Sequence, residues 1–561
     1  MPLGEVRAGM KGIGRTVFSG TRIEEFQVEV LGVLENVGPR QSLILGRLSG
    51  GPLAHSGVLQ GMSGSPVYIG GRLVGAVATA FAFSKDPIAG IRPIEEMVRA
   101  PVPASPARAR TPLLDANPEL LAGLAPRPEY STGPTRMVEI ATPLSMSGFT
   151  ARTIDQFAPQ LRSLGLEPTQ GTLGGARSNL GMGDPKVVTP GSMISVQLVT
   201  GDLAVGADGT VTHVVGDRVY AFGHRFLSIG AVEMPFARSE VVALLPNLNT
   251  SFKISSAREW MGAITADYST AVAGRLGRRA PMVPMSITVN GDQQAKYEIQ
   301  VVRERLLTPF LMQMATYSAI DGTERTVGPS TVAAKGMIEF ANAPSARIDT
   351  IYSADNGTAL MASLSGALPA GYAMQSGFPD LAIRRVVLDF TVTSARKQYQ
   401  VENVTVSRPR IRPGESVDIR VSFTGAGGEE LRRSATWRAP VGAPNGPVNF
   451  TVSEAMISNL VEFQHMLLQP PASAAQARAL LDGIRPNSVA TLRIWRADPV
   501  FQASGQIMAA PPPSVAAILR RNSASTAGVP AAWGAKLASV EFRLDGAVVS
   551  GSKSAQVEVK E

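Results

Sequence analysis

Gly57-Val-Leu-Gln-Gly-Met-Ser-Gly-Ser-Pro-Val-Tyr-Ile-Gly-Gly-Arg-Leu-Val-Gly-Ala-Val, residues 57–77, reads as a tight turn feeding a β-hairpin. Val67-Tyr-Ile and Leu73-Val-Gly-Ala-Val are short apolar runs, and Gly70-Gly71 between them is a hairpin signal. The turn itself is Gly61-Met62-Ser63-Gly64-Ser65-Pro66. Serine is a poor nucleophile unless a base removes its proton and backbone donors await the oxyanion. This turn suits that task. Gly61 lets the chain bend so that its N–H and that of Ser63 can point into one pocket. Gly64 relieves crowding behind the serine, and Pro66 fixes the exit into the next strand. The turn is not the G-x-S-x-G elbow, because Ser65 stands where that pattern needs glycine. Taken alone, a Gly/Ser-rich turn between strands is more often structural than catalytic.

Working outward, β patterning dominates. Residues 8–48 read as strands, with Phe26-Gln-Val-Glu-Val-Leu-Gly-Val-Leu alternating before it turns mostly apolar. Residues 100–112 form a Pro/Ala/Arg linker by composition. The stretch 115–187 is mixed: Thr153 to Leu164 suggests a short helix interrupted by Pro159, and a Gly-rich loop spans 171–183. Strands then return at Ile194-Ser-Val-Gln-Leu-Val, Val211-Thr-His-Val-Val and Val219-Tyr-Ala-Phe-Gly-His, with turns expected at Asp208-Gly209 and Gly216-Asp217. Tyr68-Ile-Gly-Gly-Arg-Leu-Val-Gly-Ala-Val echoes the rhythm of Val214-Val-Gly-Asp-Arg-Val-Tyr-Ala-Phe-Gly, as Glu25-Phe-Gln-Val-Glu-Val echoes Lys296-Tyr-Glu-Ile-Gln-Val. Two similar β units suit a pair of packed six-stranded barrels. From 335 onward the composition stays β-like. Arg410-Ile-Arg-Pro-Gly-Glu-Ser-Val-Asp-Ile-Arg-Val-Ser-Phe predicts an immunoglobulin-like strand, and Ser473 to Ile484 is the clearest helix, ending near Gly483.

Length and composition bound the rest. A chain of 561 residues exceeds one core, and 56 Gly with 41 Pro favour short strands and tight turns. The net charge of +8 comes from scattered arginines, with no lysine block, RNP-like aromatic pattern or zinc-finger spacing, which argues against nucleic-acid binding. Absence of cysteine excludes disulfides, thiol catalysis and thiolate metal sites. No run of about 18 apolar residues offers a membrane span. There is no Walker loop, dinucleotide fingerprint, H-E-x-x-H or EF-hand loop. The first residues lack signal-peptide order. The expectation is therefore a cell-envelope or secreted protein if an export signal lies upstream of Met1, and a cytoplasmic one otherwise.

The turn resembles the nucleophile turn of trypsin-like peptidases, and residues 57–77 as a whole are similar to the S55, SpoIVB-type sporulation serine peptidases. In that family a glycine, an apolar pair and Gln precede Gly-Met-Ser-Gly-Ser-Pro, and a hairpin ending in Gly-Ala-Val follows. Tyr220-Ala-Phe-Gly-His-Arg-Phe resembles the segment carrying the family's catalytic histidine. Thr189 to Asp202, Ser251-Phe-Lys-Ile and Met261 to Gly277 resemble further segments of the same domain.

The resemblance implies a Ser-His-Asp site with its halves in reversed order. The serine half would occupy roughly 8–100 and the histidine half roughly 188–305, whereas in the family the histidine comes first. A triad is set by geometry rather than chain order. Ser63 is then the nucleophile, His224 the general base, and the N–H groups of Gly61 and Ser63 the oxyanion donors. His55 is the next candidate base, while His213 and His465 read as structural. The family's Asp shortly before the nucleophile turn is missing, since no Asp or Glu lies between Glu35 and Asp86. Asp267 is the first choice for the orienting carboxylate, because its distance from His224 suits two intervening barrel strands. Asp217 is the second.

The reading is a mainly-β protein: a permuted trypsin-like double β-barrel followed by β-sandwich-like C-terminal modules. Expected units are 1–100 (nucleophile half), 101–187 (linker and mixed insert), 188–330 (histidine half), 331–455 (β modules, immunoglobulin-like in part) and 456–561 (mixed, with one helix). The expected function is a serine endopeptidase that needs no cofactor and no metal and acts on a protein or peptide. The alternative is a catalytically weak or inactive descendant serving as a peptide-binding or envelope scaffold protein.

Overall fold

A computed structural model describes residues 1–81, 84, 86–99, 129–132, 135–171, 181–247, 250–323, 328–467, 471, 473–498, 500–503, 506–509, 514–515, 528–529 and 534–561. The linker at 100–112 and most of the Gly-rich loop lie outside these residues. The protein is mainly β.

The first unit follows from alternation and turn chemistry. Strands β1 (Lys11–Ser19), β2 (Arg22–Gly38) and β3 (Gln41–Ser49) form a meander whose inward positions are Phe18, Phe26, Val28, Val30, Ile44 and Leu48. A one-turn helix α1 (Leu53–Ser56) leads to the nucleophile turn, then β4 (Pro66–Ile69), β5 (Arg72–Phe81) and β6 (Ile88–Pro93) follow. β4 pairs with both β1 and β5, so the order β4-β1-β2-β3-β6-β5 closes on itself as a six-stranded ring around one apolar core. After the one-turn helix α2 (Ile94–Val98), β7 (Glu129–Thr132) and β8 (Thr135–Glu139) extend this sheet from β5.

The second unit repeats the plan. After β9 (Thr142–Ser147), α3 (Ala151–Ser163) and β10 (Leu166–Gln170) come β11 (Met193–Gly201), β12 (Ala204–Val215), β13 (Arg218–Ala221), β14 (Gly230–Leu245), β15 (Phe252–Tyr268) and β16 (Ala271–Leu276). β12 pairs with both β11 and β13, closing a second six-stranded ring in the order β12-β13-β16-β15-β14-β11. Two expectations change here. α3 runs through Pro159 instead of breaking at it, capped by Thr150, whose Oγ1 accepts from the Thr153 N–H. Asp208-Gly209 is no turn but the middle of β12, with Asp208 fully enclosed.

The third unit departs from the β-only expectation for residues after 331. β17 (Met282–Asn290), β18 (Gln294–Val302), α4 (Leu307–Thr323), β19 (Ser330–Phe340), β20 (Ala346–Ala354), α5 (Thr358–Gln375) and β21 (Ile383–Thr393) form an α/β layer of order β18-β17-β21-β19-β20. The two helices pack together against it. β18 pairs with β11, so this layer and the second barrel share one sheet and one core. Leu311, Met312, Met314 and Ala315 lie in the core face of α4.

From residue 398 two sheets of four and five strands enclose a separate core, with Trp437 edge-on to Phe450 across it. The strand Ser416–Gly425 follows the Pro413-Gly414 turn and alternates buried and open positions, as its sequence predicts. Residues 456–561 complete this sandwich, and where one helix was expected the described residues include Ala455–Leu467 as well as Ala474–Asp482. The latter starts on Ser473, whose hydroxyl accepts from the Gln476 N–H, and stops at Gly483. No helix among the described residues is long and apolar enough to cross a membrane.

Candidate active site

The nucleophile turn sits where the two barrels meet. The N–H of Thr210 donates to the Ser63 carbonyl at 2.9 Å, its Oγ1 donates to the Gly61 carbonyl at 2.9 Å, and Thr212 Oγ1 donates to the Gly64 carbonyl at 2.7 Å. One edge of β12 thus carries three carbonyls of the turn. On the other side Gln60 N–H donates to Ser251 O and Lys253 N–H donates to Gln60 O, a short parallel bridge to the start of β15. Within the first barrel, Gly64 N–H donates to Val77 O, Val77 N–H to Ser65 O, and Ser65 N–H to Met62 O.

Gly61 and Gly64 are favoured by conformation, and Gly64 is required by space as well. Both have positive φ, 88° and 91°. A Cβ on Gly64 would lie 2.0 Å from the Thr210 carbonyl oxygen and 2.5 Å from the Phe222 nitrogen, so the serine's neighbour is in backbone contact with the histidine-bearing half.

Two N–H groups stand apart in this turn. Those of Gln60, Met62, Gly64 and Ser65 all have backbone acceptors, while those of Gly61 and Ser63 donate to no acceptor among the described residues. Buried N–H groups are rarely left so. The Ser63 hydroxyl is fully enclosed and likewise has no hydrogen-bond partner among the described residues.

His224 follows β13 on a segment held in uncommon backbone conformations. Phe222 has φ 71°, Gly223 φ 69° and Ser228 φ 60°. Positive φ in a buried phenylalanine is strained and persists only where the surroundings over-determine it. Here Gly209 leaves room for the Phe222 ring, and Gly223 lies against the Val77 carbonyl and the Ala76 and Ala78 methyls of the nucleophile hairpin. The His224 imidazole, 2% exposed, points Nδ1 at the Arg225 carbonyl, 2.5 Å away. A carbonyl can only accept, so Nδ1 carries the proton and the neutral ring keeps its basic lone pair on Nε2.

Asp267 lies in the same place but grips the main chain. Its Oδ1 accepts from Phe226 N–H at 2.8 Å, and its Oδ2 from Leu227 at 2.7 Å and Ile229 at 3.3 Å. Burial pushes its carboxyl up to about 6, opposed by these backbone hydrogen bonds. It therefore anchors the segment that follows His224, and the carbonyl of Arg225 supplies the acceptor at Nδ1. Arg225 is in turn paired with buried Glu139 at the end of β8. Asp217 is elsewhere: it sits in the exposed β12–β13 turn, paired with Arg275 at 2.8 Å. His55 is exposed on α1, and His213 is a half-buried residue of β12 whose imidazole is pushed down by burial. His465 belongs to the helix Ala455–Leu467, and its side chain lies outside the described residues.

The sequence reading missed the partners of the turn. Thr210 and Thr212 give no sequence signal beyond their place in a strand. Asp208 and Lys253 lie behind the turn as a buried acid and base. A lone lysine inside the apolar Ser251-Phe-Lys-Ile run was the available signal for the latter.

A β-barrel pair with a serine turn at its junction and a histidine on the facing segment has the layout of a serine-peptidase-type site. Residues 3–98 match the family model of the SpoIVB peptidase S55, which bears out the resemblance read from residues 57–77 and supports a serine peptidase function. No curated protein and no solved structure matches the chain. The match ends within the first barrel unit, so the histidine half rests on its own residues and geometry.

Proposed function

We propose that the protein is a serine endopeptidase with Ser63 as nucleophile and His224 as general base. Ser63 Oγ attacks the carbonyl carbon of a bound peptide while its proton passes to His224 Nε2. The N–H groups of Gly61 and Ser63 receive the oxyanion. Collapse breaks the C–N bond, the amine leaves with the proton from His224, and water then hydrolyses the acyl-enzyme by the reverse proton path. Asp267 keeps the His224 segment in place, while the Arg225 carbonyl fixes the ring's tautomer. The observation that carries this reading is the pair of N–H groups, Gly61 and Ser63, left without acceptors among the described residues on either side of Met62, in a turn whose other main-chain N–H groups have them.

A second reading is favoured by the enclosure of Ser63 at 0% exposure: a scaffold or peptide-binding descendant that keeps the barrels without turnover. A fluorophosphonate probe separates the two, because it labels only an activated serine. Labelling of the wild type that disappears in Ser63→Ala and His224→Ala supports the peptidase. A folded wild type that never labels supports the scaffold.

A further inference from the structure

Lys253 places a long cationic side chain in the wall behind the nucleophile turn, and it is 2% exposed. Removing an ammonium from water costs several kcal/mol unless it is well paired. Hydrophobic residues of similar size usually serve a wall at least as well, so its placement calls for a local reason. Three side-chain contacts supply one, beside a main-chain N–H that donates to the Gln60 carbonyl. Its aliphatic stem runs past Gly61, with Cδ 3.3 Å and Cβ 3.5 Å from the position a Gly61 Cβ would take. Its Nζ donates to Thr16 Oγ1 at 2.8 Å on β1 and lies 6.0 Å from the centre of the Phe18 ring. Asp208 on β12 is the charged group that acts on it, and that carboxylate accepts from Ser255 at 2.6 Å and Ser239 at 3.4 Å.

The side chain therefore joins both barrels across the turn. β12 holds the carbonyls of Gly61, Ser63 and Gly64 from one side, two to four residues beyond Asp208. Lys253 holds Gln60 and covers Gly61 from the other. We infer that Lys253 is a positioning residue for the oxyanion site: tied to Thr16 and balanced by Asp208, it keeps residues 60–63 in the form that leaves the Gly61 and Ser63 N–H groups open to a substrate oxygen. This inference rests on the proposed peptidase site for its purpose, but the ordering of the turn by Lys253 can be measured without turnover. Burial pulls the ammonium down to about 7 against the pull of Asp208, which adds a titration signature. Charging becomes more costly in the folded state, so the turn loses order as pH falls through that value.

The test is hydrogen exchange of the full chain, read by mass spectrometry over residues 57–66. Lys253→Met keeps the stem and removes the charge and the Thr16 bond. The expected result is exchange at 57–66 faster by about tenfold or more, with residues 282–393 unchanged. In the wild type, after correction for intrinsic exchange, protection of 57–66 should decline as pH falls from about pH 9 to about pH 7, and Lys253→Met should abolish that slope. A buried lysine whose titration is not coupled to the turn would not produce the slope at residues 57–66. Thr16→Val, which removes only the Nζ partner, serves if Lys253→Met does not fold, and should speed exchange at 57–66 by about threefold or more. Unchanged protection at 57–66 in the folded variants, or a pH slope that survives Lys253→Met, overturns the inference. Fluorophosphonate labelling of the wild type runs beside it. If the wild type does not label while exchange responds as expected, the peptidase reading fails and the positioning of the turn by Lys253 stands.

Discussion

The main-chain N–H of Thr210 donates to the carbonyl of Ser63, so a strand of the second barrel carries the backbone of the candidate nucleophile in the first. That bond makes the order of the two halves in the chain immaterial to the candidate site. The serine half precedes the histidine half in the chain, yet Gly64 touches the backbone of Phe222 and Gly223 touches the hairpin that follows Ser63. What a catalytic site requires is this contact, whichever half is made first.

Gly64→Ala tests the contact directly. The new methyl would meet the Thr210 oxygen and the Phe222 nitrogen, both main-chain atoms that cannot swing away, and φ of 91° adds strain. The expected loss is about 3 kcal/mol or more. Thermal unfolding should show the barrel transition lowered or lost while the C-terminal sandwich, with its own core, still melts cooperatively. An unchanged melting profile would show that the barrels do not meet at Gly64.

Asp267→Asn and Asp217→Asn separate the two candidate carboxylates. Asp267 satisfies three N–H groups with two oxygens, and asparagine offers only one. At least one buried donor is then left facing an amide N–H, at about 1–3 kcal/mol. Asp267→Asn should slow fluorophosphonate labelling by about tenfold or more through loosening of the His224 segment. Asp217 is an exposed partner of Arg275, so its replacement should change stability by about 0.5 kcal/mol or less and leave labelling unaltered. Equal effects from both variants would remove the special role of Asp267.

Gly209→Ala addresses the strain around Phe222. A Cβ at residue 209 would lie 1.9 Å from the ring, so the phenylalanine must leave its place beside the His224 and Phe226 rings. With the ring gone, little obliges residue 222 to keep positive φ. The expected outcome is a folded protein whose labelling is lost, checked by circular dichroism beside the probe reaction. Full labelling would mean that the strained conformation is not part of the site.

The parts of this arrangement that the sequence exposed are those fixed by local chemistry. Gly70-Gly71 and Pro66 punctuate the first barrel, and the hairpin of β4 and β5 lies where they place it. Ser473 and Gly483 mark the helix they bound. The parts that stayed hidden depend on partners distant in sequence. Asp208-Gly209 looks like a turn because those residues favour turns, yet Gly209 is small to admit the Phe222 ring, and Asp208 is buried beneath three serine-bearing strands. The helix Thr358–Gln375 escaped notice because it is apolar on nearly every side, being buried, and carries Gly366, Pro369 and Gly371. In the site, Ser63 and His224 could be named from local motifs. The grip of Asp267 on main-chain N–H groups could not, since it depends on how residues 225–229 are folded.

The buried charges predict how stability varies with pH. Burial raises Asp208 and Asp267 to about 6 each. For such acids the folded state holds the proton more tightly than the unfolded chain, so their contribution is present below about pH 4 and is lost as pH rises through about 6. Lys253 has the opposite sign: lowered to about 7, it contributes above its unfolded value and loses that contribution as pH falls through about 7. Together these groups place the weakest point of the barrels between about pH 6 and 7. Thermal unfolding of the wild type and of Asp208→Asn, Asp267→Asn and Lys253→Met, followed from about pH 4 to 9, reads each contribution as a difference in pH slope. Relative to the wild type, the asparagine variants should lose the decline between about pH 4 and 6, and Lys253→Met the rise above about pH 7. A Lys253→Met curve parallel to the wild type above pH 7 would show that this lysine titrates as it does in water, and that it is not buried in solution.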